Sequence, residues 1–164
     1  MTDISVQTDK ISTEGFTALR EIHIGDKSFQ TPTAAMPVGR GSHQDTPAEE
    51  SRGVNEIYRT LTTSKLKASM RSDSSAIANA LRQDYRKTNP ESEVNFVFTS
   101  YQDAHQIGPD ELEHIIDLVE PYTDVLTVPL MPELVDAIDT SEDGRGVGSP
   151  AFQSYKSTVE RFIE

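Results

Sequence analysis

The stretch Ile22-His23-Ile24-Gly25-Asp26-Lys27-Ser28-Phe29-Gln30-Thr31-Pro32-Thr33-Ala34-Ala35-Met36-Pro37-Val38-Gly39 decides how the chain is read. Ile22 and Ile24 lead into Gly25-Asp26, Phe29 resumes the apolar pattern, and Pro32 closes it, so the segment predicts a β-hairpin turning at Ile24-Gly25-Asp26-Lys27. Ala34 to Val38 predicts a buried strand. Pro37 has no N–H to give to a ladder, which confines that strand to a sheet edge or a strand end. Residues 1–14 are polar and aperiodic and read as a flexible start, with one α/β domain over 15–164. Gly39 to Gly53 is the longest loop signal.

Downstream the pattern alternates between helix and strand. Ile57, Tyr58, Leu61 and Leu66 within Val54–Leu66 suggest a helix with imperfect spacing, and Ile77, Leu81 and Tyr85 within Asp73–Lys87 fit one better, stopped by Asn89-Pro90. Val94–Tyr101 is β-branched and aromatic, hence a strand. Pro109, Asp110 and Glu111 suit a first helical turn, and Leu112, Ile115, Ile116 and Val119 follow on one face. Asp124–Leu130 predicts a second buried strand, Pro132-Glu133 opens a short helix, and Asp139–Ser149 is a Gly-rich loop. Ser149-Pro150 opens a last helix bearing Phe152, Tyr155, Val159, Phe162 and Ile163, which carries no stop signal before Glu164 and suggests a truncated barrel. Strand and helix in this order predict parallel, right-handed βα units. With the hairpin they make about half of a TIM-type (β/α) barrel, the alternative being a small three-layer open α/β sheet.

Composition narrows the classes. The 164 residues carry 15 Lys plus Arg against 27 Asp plus Glu, a net charge of −12, so the long-range field repels phosphate polymers and anionic lipid surfaces. The acids are spread along the chain and Lys is scarce, as on a surface kept hydrated in high salt, which points to a halophilic setting where salt screens that repulsion. Without Cys there is no disulfide, thiolate nucleophile or Cys-ligated metal within these residues, and no cofactor is expected. The first residues lack a basic, apolar leader and no stretch reaches the roughly 20 apolar residues of a membrane span, so a cytoplasmic protein without a membrane partner is expected.

Thr31-Pro32 followed by Met36-Pro37-Val38-Gly39, with Ile24-Gly25-Asp26-Lys27 before it, resembles the N-terminal signature of the tRNA-guanine transglycosylase superfamily. There a β-hairpin crosses the barrel floor and Thr-Pro-x-x-Met-Pro-Val-Gly enters the first barrel strand. Thr33, Ala34 and Ala35 stand where that pattern has two residues, and the resemblance covers about 20 residues. It implies exchange of a guanine for a 7-deazaguanine base in tRNA or DNA. In that chemistry an aspartate attacks ribose C1′, guanine leaves, and a second carboxylate moves the proton. The Asp-Ser-Gly-Gly-Phe type segment expected for the second carboxylate is missing, and a chain without Cys cannot form the family's zinc cluster. No catalytic residue carries over by motif. The resemblance therefore implies a partial or degenerate pentosyltransferase that needs a complementary barrel chain or a second copy, and that meets nucleic acid only within such a complex. The alternative is a non-catalytic acidic α/β binding protein.

Asp103 and His105 follow the Val94–Tyr101 strand, at the end of a parallel strand where α/β folds place chemistry. A carboxylate two residues from an imidazole can orient a base, or bind a metal given one more ligand. The same residues also suit a solvated βα turn. Arg145 and Ser149, in a Gly-rich run before a helix N-terminus, can contact a phosphate, as can Arg40 and Ser42 after Pro37-Val38-Gly39. Neither run matches a known phosphate-loop spacing, and a plain connector is the other reading of both.

Overall fold

The computed structural model describes residues 3–11, 18–39, 53–72, 75–103, 106–140 and 150–163. It is a mixed α/β structure with two sheets, one antiparallel and one parallel. Strands β1 (Ile4–Ile11), β2 (Ala18–Ile24) and β3 (Lys27–Thr31) form an antiparallel sheet in chain order. The predicted hairpin is β2–β3, closed by Ile24 opposite Lys27, and Gly25 at the turn has φ 58°. Strand β1 occupies residues for which the aperiodic sequence predicted a flexible start. Its apolar side chains pair across the strand yet stay in solvent: Val6 lies opposite Ile22 and is 57% exposed. A strand with so little burial leaves a weak hydrophobic signal.

The second sheet has the order β4 (Met36–Val38), β5 (Val54–Leu61), β6 (Val94–Tyr101), β7 (Val125–Leu126). Met36 and Val38 of β4 lie parallel to Asn55 and Ile57 of β5, which puts Pro37 on the edge strand, where a missing N–H costs no ladder bond. Between them run helices α1 (Thr63–Ser69), α2 (Ala76–Tyr85) and α3 (Pro109–Val119), and after β7 come α4 (Pro132–Thr140) and α5 (Pro150–Ile163). Pro109 stands at N1 of α3 as expected, with Asp110 and Glu111 in its first turn and Leu112, Ile115 and Val119 buried.

Several expectations change. Val54–Leu61 is a strand and not the start of a helix. Asn55, Ile57 and Leu61 are buried on one face with Arg59 half-buried among them, and the other face carries Val54 and Tyr58, so polar and apolar residues fall on both faces and the alternation that marks a strand is lost, while Ile57 and Leu61 imitate helical spacing. The expected buried strand Asp124–Leu130 shrinks to Val125–Leu126 and one parallel bridge between Leu130 and Ser100, with Leu126 and Leu130 exposed. In α5 the fully buried side chain is Thr158, whereas Phe152, Tyr155, Val159 and Phe162 are half-buried and Ile163 is 76% exposed. The predicted Gly39–Gly53 loop lies outside the described residues over 40–52, and of the predicted Asp139–Ser149 loop the first two residues belong to α4 while 141–149 lie outside the described residues. Among the described residues no helix is long and apolar enough to cross a membrane.

The chain divides into two compact units. The first holds residues 1–58, 81–97 and 122–125, where polar contacts gather at the amino ends of the parallel strands. Lys27 donates to both oxygens of Asp124 at 2.7 and 2.8 Å, and Asp124 also accepts the Asn95 backbone N–H at 2.8 Å. Glu93, 6% exposed, accepts Asn55 Nδ2 and the Asn89 N–H, both at 2.7 Å. Gly39 closes the Met-Pro-Val-Gly run at φ 80°, and a Cβ built there would overlap the Asp84 carboxylate. The second unit holds 59–80, 98–121 and 126–164, with Leu66, Tyr101, Ile107, Ile115, Met131 and Leu134 in its core.

Two substitutions test this framework by urea denaturation. Gly39→Ala meets both a left-handed backbone and the Asp84 carboxylate, and is expected to cost about 2 kcal/mol or more. Asp124→Ala strands a part-buried lysine and an Asn95 N–H, and is expected to cost about 3 kcal/mol, with Lys27→Met costing less because its stem keeps its packing.

Candidate site at the carboxyl end of the parallel strands

In the second unit, the residues that leave β5 and β6 at their carboxyl ends converge. The Gln102 N–H donates to the Leu61 carbonyl at 3.0 Å, which brings the two strand ends side by side. Thr62 is extended (φ −124°, ψ 159°) and caps α1 by accepting the Lys65 N–H at 3.4 Å. That cap starts the helix and presents the Thr63 N–H and hydroxyl to the loop after β6. Asp103 fills the position: its Oδ1 accepts the Thr63 N–H at 2.6 Å and the Thr63 hydroxyl at 3.1 Å. The phenol of Tyr101 donates in turn to Thr63 Oγ1 at 3.4 Å.

Tyr101–Thr63–Asp103 is therefore a directional chain. The phenol is the donor at its head, the threonine hydroxyl relays, and the carboxylate accepts at the end. Burial pushes the Tyr101 pKa above the ordinary phenol value, the Thr63 hydrogen bond pulls the other way, and the Glu111 and Asp103 carboxylates add to the rise. The phenol thus stays a donor. Asp103 is exposed, and with one oxygen tied to Thr63 its carboxylate is held in a fixed orientation toward solvent. Such a group can accept hydrogen bonds from adjacent N–H donors of a ligand, or take a proton.

Of the residues that the sequence nominated, Asp103 is in this cluster. His105, Arg40, Ser42, Arg145 and Ser149 lie outside the described residues. Among the described residues no group of three or more His, Asp or Glu side chains could hold a metal ion. Thr63 and Tyr101 were missed, because the Thr63–Asp103 contact joins positions 40 residues apart. Ser100 is fully buried one residue before Tyr101, and its hydroxyl, like that of Thr99, has no hydrogen-bond partner among the described residues.

His114, which the helical pattern places on the surface of α3, is half-buried and lies 2.8 Å from Ser69 Oγ. The Ser69 hydroxyl gives its hydrogen to the Leu66 carbonyl at 2.8 Å, so the imidazole must be the donor. A base activating a serine needs the opposite polarity, which makes this pair a structural contact. Comparison with family models, curated proteins and solved structures returns no match.

The raised Tyr101 pKa has a definite sign for stability. Its folded-state value lies above the 10.0 of an ordinary phenol, so the contribution is complete below pH 10 and is lost as pH rises through the folded value. Ultraviolet titration of the chain minus that of Tyr101→Phe isolates this ionisation, with an expected midpoint above 10.0; a midpoint at or below that value contradicts the buried-donor assignment.

Proposed function

We propose that the chain supplies the first βα units of a barrel of the guanine-transglycosylase type, and that the carboxyl ends of β5 and β6 hold a guanine-like base. The observation that carries this reading is the path of the chain. Hairpin strand β3 ends at Thr31, Pro32 follows, and Met36-Pro37-Val38 becomes the edge strand of a parallel sheet. This is the route that the resemblance implies for the Thr-Pro…Met-Pro-Val-Gly segment.

Strand order supports the same reading. The sheet runs β4-β5-β6-β7 with no reversal, as consecutive units of a βα barrel do, whereas a doubly wound open sheet reverses at a switch point. Burial along β6 fits as well. Asn95, Val97, Thr99 and Tyr101 on one face are buried, and on the other Val94 and Ser100 are buried with Phe96 and Phe98 half-buried, so both faces are covered as in the parallel strands of a barrel.

In this reading Asp103 accepts from the adjacent N–H donors of the purine edge, held in place by Thr63. The nucleophilic carboxylate that attacks ribose C1′ and the second carboxylate that moves the proton both come from the complementary chain, as no catalytic residue of the family carries over to this sequence by motif. The partner complex, and not this chain by itself, meets tRNA or DNA.

The test is a titration of the chain with 7-deazaguanine, followed by amide chemical shifts. Saturable shifts at Thr63, Gln102 and Asp103 are expected, weakened at least about tenfold in Asp103→Asn, with cytosine producing none. Absent shifts, or undiminished binding by Asp103→Asn, overturn the base-site assignment in favour of the non-catalytic binding protein. Release of guanine from tRNA by the chain alone overturns the need for a partner.

A further inference from the structure

Strand β1 is an outer strand of the antiparallel sheet, and among the described residues it pairs with β2 alone. Pairs in an antiparallel ladder alternate, so every second residue of an outer strand turns its N–H and C=O away from the sheet. The Gly25 N–H donates to the Asp3 carbonyl at 3.0 Å, next to the Ile4–Ile24 pair, and this sets the phase. Asp3, Ser5 and Gln7 direct their backbone groups to β2, whereas Ile4, Val6 and Thr8 direct theirs outward.

The side chains mark the same edge. Val6 lies opposite Ile22 and Ile22 opposite Phe29, so an apolar row crosses all three strands and stops at an exposed Val6. Ile4, on the same face opposite Ile24, is 58% exposed. Outer strands are ordinarily guarded by a charge, a proline or a bulge. Ile4-Ser5-Val6-Gln7-Thr8 has none of these, since the bulge comes only after Thr8. In a chain of net charge −12, this is a stretch on which a second copy can lie without setting like charges against each other within the run.

We propose that β1 binds a second copy of this chain, the two β1 strands running antiparallel about a two-fold axis at Val6. The phase of the backbone selects this register, because only outward residues can exchange bonds across the seam. Centring on Val6 sets Val6 against its own counterpart and Ile4 against the counterpart of Thr8, so every outward group of the run is used, in about six hydrogen bonds. Moving the centre toward either end leaves Thr8 or Ile4 outside the run. The apolar row then continues from Phe29 through Ile22 and Val6 into the same residues of the copy, and two three-stranded sheets become one. This surface is not part of the base site, and the assignment stands or falls separately from it.

The experiment is sedimentation equilibrium of the full chain over a concentration series. A monomer–dimer equilibrium is expected, and it tightens as salt rises because each copy carries a net charge of −12. Val6→Lys puts a charge on the two-fold axis at an exposed position. It is expected to weaken the dimer at least about tenfold while leaving the thermal melt in dilute solution in place. Cross-linking reads the register directly, since the sequence has no Cys of its own. Ser5 and the counterpart of Gln7 become cross-strand neighbours, so a mixture of Ser5→Cys and Gln7→Cys chains is expected to form a disulfide-linked dimer on oxidation that neither variant forms alone. A chain that stays monomeric at every concentration, a dimer that dissociates as salt rises, or affinity unchanged by Val6→Lys overturns the assignment. Cross-linking of either Cys variant with itself in preference to the mixture overturns it as well.

Discussion

The carboxylate of Asp124 is the constraint on which the first unit depends. It binds Lys27 at the start of β3 and the backbone of Asn95 in β6, and it stands immediately before β7. The Asp124 N–H returns to the Asn95 carbonyl at 2.8 Å, so one residue satisfies both backbone groups of its neighbour. Three segments distant in sequence are thereby tied at one point. A hairpin packed by apolar area alone has little to fix its register, since sliding along a smooth surface costs little. A charged pair that is partly desolvated has one geometry.

Beside it, Glu93, Asn55 and Asn95 form a buried polar cluster that is costly unless each group is paired. Asn55 Nδ2 donates to Glu93 and lies 3.3 Å from Asn95 Oδ1, and Glu93 takes a second N–H from Asn89. All of these bonds lie at the amino ends of the strands. The two ends of β5 and β6 thus differ in kind. At the amino ends polar side chains are consumed by one another and by the backbone, which specifies structure. At the carboxyl ends Asp103 remains exposed and the Ser100 hydroxyl is unspent among the described residues. That asymmetry is the one expected of parallel βα units, which carry stability below and chemistry above.

The legible parts of the sequence were those whose local signal agrees with their surroundings. Val94–Tyr101 combines β-branched and aromatic residues with a turn after it, and Pro109 with Asp110 and Glu111 marks a helix start that no strand imitates. Val54–Leu61 was illegible because its buried face includes polar Asn55 and Arg59 while Val54 and Tyr58 stand on the other, and β1 because its apolar residues remain in solvent. Asp103 could be nominated from its place after a strand. Its partners Thr63 and Tyr101 could not, because hydrogen bonds between strand ends follow from sheet register, which single-chain periodicity does not contain. Nor does anything local announce that Glu93 is buried.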